Sequence, residues 1–387
     1  MTAGPLSHRR AWRSGIVQQV SPARVVDLGP GYLQPELMPA GLLAEAYQNA
    51  LVEFGSAALA YGDDRGAAPL RAAVAGRGDQ DNVLVTAGSS HALYLLATML
   101  AKPGDVVLVE QFGYDLGQRL LRDAGLRVVP VSMDAHGVDP SAFEDAARAH
   151  RGRIAFACMT PTFHNPTGVV VPERRRRELL AVADRFGVLI VEDDAYADLV
   201  LDGEVPPSMV DIAGHQGVVR LRTFSKSVAP GLRLGFLLAD PRTVTRMAEH
   251  ALFVSGGSAN HLASLAVAQL IASGAYARHL AWLREQLRAR RDALAGGLRA
   301  AFGPDLACDV PAGGYFLWLR SATAPESALL DAAEAAGVRI CDGSRFGAGP
   351  SATVRLSYSF NPPSDLAAAG AGFAAAWQER TVKERTP

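Results

Sequence analysis

The stretch VVRLRTFSKSVAPGLRLGFLLA, residues 218–239, decides how this chain is read. Its two ends, VVRLRT (218–223) and LGFLLA (234–239), have the aliphatic and β-branched content of strands, and the Ser, Pro and Gly between them supply turn chemistry. Upstream, the runs VLVT (83–86), VVLVE (106–110), RVVPV (127–131), IAFACM (154–159) and VLIVEDD (188–194) repeat the strand pattern and alternate with stretches of helical spacing. Short continuous apolar runs are expected where helices cover both faces of a sheet. The pattern therefore predicts an α/β fold with a mainly parallel sheet sandwiched by helices.

Working outward, Tyr276, Leu280, Leu283, Leu287, Leu294 and Leu298 recur at helical spacing and predict one long amphipathic helix over 276–302. Beyond it, YFLWL, VRIC and TVRLSYS alternate with Ala-rich helical stretches, which predicts a smaller α+β domain ending in a frayed tail, TVKERTP. Residues 1–40 are rich in Arg, Gly and Pro and read as an arm that joins the small domain and the active site. Three parts follow: the arm at 1–40, a large domain at 41–275, and a linking helix with a small domain at 276–387. A helix is expected to begin at Pro172 and stop at Gly187, with Arg174–Arg177 as a solvated face.

Composition narrows the function classes. Thirty-eight Lys and Arg against 39 Asp and Glu leave a net charge of −1, so no basic field gathers nucleic acid or an anionic membrane. Cys158, Cys308 and Cys341 are widely spaced and form no CxxC pair, which argues against disulfides and a metal site and for a reducing cytoplasm. The run Ala251 to Ala277, free of acid, Lys and Arg, is broken by Gly256, Gly257, Ser258, Asn260 and Gln269, and suits a buried wall better than a bilayer. No export signal is visible in MTAGPLSHRRAWRSG. The arm arginines Arg9, Arg10, Arg13 and Arg24 read as solvated charges, with contact to an acidic substrate as the alternative.

The chemistry gathers around Lys226, which follows a strand and sits with Thr223, Ser225, a Gly-containing turn and Arg233. Hydroxyls, a guanidinium and free amides suit a phosphate, with charge-assisted bonds contributing about 1.5–3 kcal/mol each. An amine beside a phosphate site points to a Schiff base with a phosphorylated aldehyde. Gly88, Ser89 and Ser90 lie where VLVT enters an apolar helix, an anion site at a helix N-terminus or an ordinary Ser cap. Asp193 stands at the C-terminal end of a strand, where α/β sheets meet ligands, three residues before Tyr196. Its carboxylate suits a pyridine nitrogen held protonated, and the phenol suits the ring's 3-oxygen; Asp194 suits a helix cap. Asn165, in PTFHNPTG (161–168), offers an amide to the same oxygen, although NPTG also reads as a turn. Arg355, within TVRLSYS, lies in an apolar strand where a buried guanidinium calls for a carboxylate.

In order and spacing these motifs resemble the class I/II aminotransferases of fold type I, which depend on pyridoxal 5′-phosphate, and most of all the 2-aminoadipate aminotransferases and the catalytic domains of MocR-type regulators. The resemblance runs from about Leu28 to Tyr358 and includes PELMP (35–39), YGDDRGAAPLR (61–71), TAGSSHAL (86–93), NPTG (165–168), VEDDAY (191–196), SKSVAPGLRLGF (225–236), PAGGYFLW (311–318) and VRLSYS (354–359). It implies Lys226 as the Schiff-base lysine, Asp193 at the pyridine nitrogen, Tyr196 and Asn165 at the 3-oxygen, and Tyr114 stacked on the ring. It further implies Ser89, Ser90, Thr223, Ser225 and Arg233 at the phosphate, with Tyr61 reaching the phosphate of a neighbouring subunit in a homodimer. Arg355 then binds the substrate α-carboxylate, and Gly31 and Tyr32 belong to the segment that closes over the substrate. The implied activity transfers an amino group from an L-amino acid to a 2-oxo acid.

Two features depart from the family pattern: Phe112 where Pro is common before the stacking Tyr, and GPGY (29–32) in place of a GG-type turn. His91, His164 and His261 read as packing or supporting groups, since the lysine already supplies a base. The same cofactor also serves oxidations, cyclisations, eliminations and decarboxylations, so an enzyme of specialised metabolism without net transamination is the rival reading. A non-catalytic ligand-sensing module is a further rival, and the intact Lys, Asp, Tyr, Asn and Arg set argues against it.

Overall fold

The computed structural model describes residues 25–385. Arg9, Arg10, Arg13 and Arg24, with the first part of the arm, lie outside the described residues. In chain order the strands are β1 (Val26–Asp27), β2 (Val83–Thr86), β3 (Val106–Glu110), β4 (Arg127–Val131), a short hairpin of β5 (Met133–Asp134) and β6 (Gly137–Val138), β7 (Ile154–Met159), β8 (Ile190–Asp193), β9 (Val218–Thr223) and β10 (Gly235–Leu238). After the long helix Ala275–Leu298 come β11 (Ala307–Cys308), β12 (Phe316–Ser321), β13 (Val338–Arg339), β14 (Cys341–Asp342) and β15 (Ala352–Ser357).

The central sheet has the order β2-β10-β9-β8-β7-β3-β4, parallel throughout except at β10, which runs against both neighbours. All seven apolar runs read as strands lie in it. Their lack of polar alternation has a direct cause. On β3, Val107 and Val109 pack into one buried cluster while Val106 and Leu108 pack into another on the opposite face. Each such side chain contributes about 1.5–3 kcal/mol by leaving water.

The second sheet, β11-β12-β15-β14, is antiparallel and shares its core with the helices Ala275–Leu298, Glu326–Ala335 and Pro363–Arg385. β1 pairs in parallel with β13, which sets Asp27 opposite Arg339 and lays the segment after it along this second unit. The last helix runs through Arg385, so most of TVKERTP is helical rather than frayed. Among the described residues no helix is long and apolar enough to cross a membrane.

The arginine run corrects one expectation. Arg174 and Arg177 face solvent, bound to Glu178 and Glu173, but Arg176 is fully buried. Its guanidinium donates to the carbonyls of Val171 (2.9 Å), Pro161 (2.9 Å) and Pro207 (3.1 Å) and to Thr162 Oγ1 (2.9 Å), and lies 3.7 Å from buried Glu192. Consecutive helical positions point in different directions, so one of four adjacent arginines turns inward.

Candidate active site

The C-terminal ends of β3, β8 and β9 deliver Glu110, Asp193 and Thr223 to one rim of the central sheet, where a parallel α/β sheet opens a crevice. A cavity of about 470 Å³ lies there, between the two sheets. Lys226, Asp193, Tyr196 and Asn165 line it, with Arg355, Gly31 and Tyr32 from the second unit and its flanking segment. Ser89, Ser90, Tyr114, Thr223, Ser225 and Arg233 also line it. Two expected residues do not. Gly88 sits behind Arg233, and Tyr61 is 86% exposed on the outer surface.

Lys226 Nζ donates to the Gly31 carbonyl at 2.6 Å and stands 5.7 Å from the centre of the Tyr196 ring. Burial, reinforced by Arg355 and Arg233 and opposed by Asp193, pulls its pKa down to about 8. Asp193 moves the other way, to about 6, through burial and the neighbouring Asp194 and Glu110, with Lys226 and His164 opposing. Its Oδ1 is buried without a hydrogen-bond partner. Asp194 is engaged elsewhere, in a 2.5 Å ion pair with Arg220.

The phosphate-type residues form a connected cluster. Thr223 Oγ1 is 2.9 Å from Ser225 Oγ and accepts from the Ser225 amide at 3.1 Å, and Arg233 Nη1 reaches Ser225 Oγ at 3.5 Å. The helix Ser89–Met99 starts beside them after Gly88, whose φ of 87° favours glycine. A Cβ on Gly88 would come within 2.9 Å of Arg233 Nη2, so the chain there leaves the guanidinium its place.

Arg355 lies mid-strand on β15, opposite Trp318 and Cys341. It donates to Asn165 Oδ1 (2.9 Å) and to the Gly29 carbonyl (2.8 Å), and its guanidinium carbon sits 4.0 Å from the Phe316 ring centre and 4.6 Å from that of Phe346. Among the described residues no carboxylate pairs with it, so the strand presents a held and unneutralised cation to the cavity. Tyr114 is pushed up to about 12, mainly by burial, and burial pushes Tyr196 further up, so both phenols stay protonated donors.

Asp27, Asp115, Phe316, Arg339, Arg345 and Phe346 also line the cavity, although no motif of the chain assigns them a part in it. Phe316 was visible as an aromatic in PAGGYFLW, but only the cross-strand register turns it toward Arg355. Arg345 ion-pairs with Asp115 across the two units.

The sequence profile of the family described as aminotransferase class I and II matches residues 24–369. The chain belongs to that family. Among the relatives of this chain, an uncharacterized HTH-type transcriptional regulator YisV of Bacillus subtilis is 33% identical over 318 residues, 79% of this chain and 64% of the regulator. The chain thus spans less than two thirds of that relative's length. A 2-aminoadipate transaminase of Thermus thermophilus is 32% identical over 303 residues, 76% of this chain and 75% of that protein. The solved structure of LysN, an alpha-aminoadipate aminotransferase from the same organism, complexed with N-(5′-phosphopyridoxyl)-L-leucine, superposes with a TM-score of 0.83 at 28% identity, covering 98% of this chain and 99% of LysN. The fold is therefore fold type I.

The cofactor of the family is pyridoxal 5′-phosphate. The residues present fit it. An unpartnered buried carboxylate oxygen on Asp193 matches a protonated ring nitrogen, the hydroxyl, amide and guanidinium cluster matches a phosphate, and a buried amine stands between them.

Proposed function

We propose that this protein transfers the amino group of an L-amino acid to a 2-oxo acid, using Lys226 as the amine that carries the cofactor between turnovers. One observation carries the reading: Lys226 Nζ, the unpartnered Asp193 carboxylate and the acid-free Arg355 guanidinium open into one cavity. When bound, pyridoxal phosphate supplies an aldehyde that condenses with amines and a ring that takes up the electron pair left as the substrate Cα loses its proton. Ser89, Ser90, Thr223, Ser225 and Arg233 would hold the phosphate, Gly88 giving Arg233 room. Asp193 would hold the ring nitrogen, Tyr196 and Asn165 the 3-oxygen, and Tyr114 the ring face.

The chain's own groups then divide the work. Arg355 grips the substrate α-carboxylate in a fork clamped by Phe316 and Phe346, which fixes the direction of the Cα–H bond. With a pKa near 8, Lys226 Nζ is partly neutral at physiological pH, and takes a proton from Cα and returns it. Gly31 and Tyr32 cover the substrate side and exclude water. Residues 41–275 serve as the cofactor-carrying domain, and the helix and small domain at 276–387, with the arm, as the substrate-closing part.

We further propose a homodimer with shared sites. Exposed Val52, Leu59, Tyr61, Leu252 and Val254 favour a second copy of the chain as cover, and Tyr61, exposed and outside the lining of its own cavity, is available to the neighbouring phosphate site. Free cysteines agree with a cytoplasmic protein.

The test mixes holoenzyme with single amino acids and 2-oxoglutarate, and follows glutamate, dioxygen and ammonia together. Glutamate equal to the amino acid consumed is expected. Ammonia release or dioxygen uptake without glutamate would reject transamination.

A further inference from the structure

We propose that Glu110 and His164 form a buried clamp that positions Asn165 toward both the cofactor and Arg355. The proposal rests on the reading of Asn165 given above. Glu110 closes β3 and is 4% exposed, and His164 is 1% exposed. Glu110 Oε2 accepts the Thr160 amide at 2.8 Å, which ties down the start of the loop after β7. The same oxygen lies 3.1 Å from His164 Nε2, off the axis of a straight hydrogen bond, as a close electrostatic contact.

The far side of the ring is also engaged. His164 Nδ1 is 2.7 Å from Thr167 Oγ1 and faces the Thr167 amide at 3.4 Å. Thr167 thus occupies the Nδ1 side of the ring and leaves Nε2 as the nitrogen that faces Glu110. The ring is thereby bonded at Nδ1 and held in close contact at Nε2. Backbone bonds from His164 to Val169 (2.9 Å) and from Gly168 to His164 (2.7 Å) close the loop around Asn165, whose Oδ1 accepts from Arg355 Nη1 at 2.9 Å.

This arrangement uses more than a loop needs. Burying an acidic side chain is costly, and backbone bonds already close the turn, so a buried acid here calls for a role in the geometry of the site. Glu110 acts on the direction of the Asn165 amide through His164, and is a positioning residue. The other ionisable groups in electrostatic reach of the pair are Asp193 at the end of β8, which feels both Glu110 and His164, and Cys158 on β7, which feels Glu110.

The experiment uses holoenzyme and reads the pH midpoint of the visible band of the lysine-bound cofactor in wild type, Asn165→Ala, Glu110→Ala, Glu110→Gln and Glu110→Ala/Asn165→Ala. Asn165→Ala is expected to move the midpoint by about one pH unit, by loss of a bond to the charged form. Glu110→Ala moves it in the same direction, Glu110→Gln, which keeps an acceptor for Thr160, returns it most of the way, and the double variant goes no further than Asn165→Ala. The KM for the amino acid rises roughly tenfold in Glu110→Ala, as Arg355 loses its oriented partner. A wild-type midpoint in Glu110→Ala with only a lower melting temperature overturns the proposal, as do additive shifts in the double variant. If Glu110→Ala does not fold, Thr167→Val, which frees the other side of the ring, is read against the same two outcomes. A missing band in wild type, or no shift in Asn165→Ala, removes the cofactor role of Asn165 and the clamp with it. That result is distinct from a normal Asn165 effect beside a silent Glu110→Ala.

Discussion

Lys226 and Asp193 face the same cavity with opposite displacements from their ordinary ionisation, and each has a measurable consequence. The amine is depressed to about 8, chiefly by burial, so its neutral fraction grows as pH rises toward that value. Capture of cofactor by the cofactor-free protein should accelerate with pH and level off above about pH 8, as followed by stopped-flow absorbance; a flat profile would contradict the role of the amine. Lys226→Ala should abolish both turnover and the mass increment left by borohydride reduction, and a retained increment would place the linkage on another residue. Asp193, raised to about 6, is protonated below that pH, so cofactor affinity should weaken as pH falls through the same value. In Asp193→Asn that acid limb should vanish and turnover should drop by orders of magnitude, with thermal stability of the cofactor-free protein at least equal to wild type, because the charge removed has an unpartnered oxygen there. Near-normal turnover would sink the assignment. These two residues were legible from the chain alone, because an amine among hydroxyls and an acid at the end of an apolar strand are costly unless used. Glu110 was not, although it too ends an apolar strand, because its partner His164 is brought to it by the loop after β7.

At the scale of elements, Arg176 shows how one helix governs a loop that carries site residues. From the helix Glu173–Phe186 it binds the carbonyls of Pro161 and Val171, the two ends of the loop bearing His164 and Asn165, and it lies beside Glu192 on β8. Replacing it with Met leaves those carbonyls without their donor and takes a cation from beside Glu192, which keeps the Met209 and Val210 amides. Arg176→Met should therefore cost about 3–5 kcal/mol in urea unfolding, as expected for breaking a buried pair on one side. A loss below about 1 kcal/mol would show that the solvated-face reading was right in energy if not in position. The Pro and Gly signals gave the helix Glu173–Phe186 its two ends, Pro172 and Gly187 capping it. They did not identify the inward arginine, because the helix face that meets the sheet depends on how the crossover from β7 to β8 packs.

For the whole molecule, the proposed sharing of sites between two copies makes a prediction that no single-chain property can mimic. Subunits carrying Lys226→Ala, mixed and reassembled with subunits carrying Tyr61→Ala, should form hybrids with one intact site, and activity should recover above that of either variant. Absence of recovery in verified hybrids would show that Tyr61 acts within its own chain or not at all. The sequence by itself determined the α/β class, the seven strands and the types of group needed for the chemistry, because local periodicity and the cost of burying charge are properties of neighbouring residues. Only the tertiary structure decided which groups meet. Gly31 reaches Lys226 across 195 positions and Asn165 reaches Arg355 across 190, contacts set by sheet order and by the seating of one sheet against the other, which no local pattern encodes.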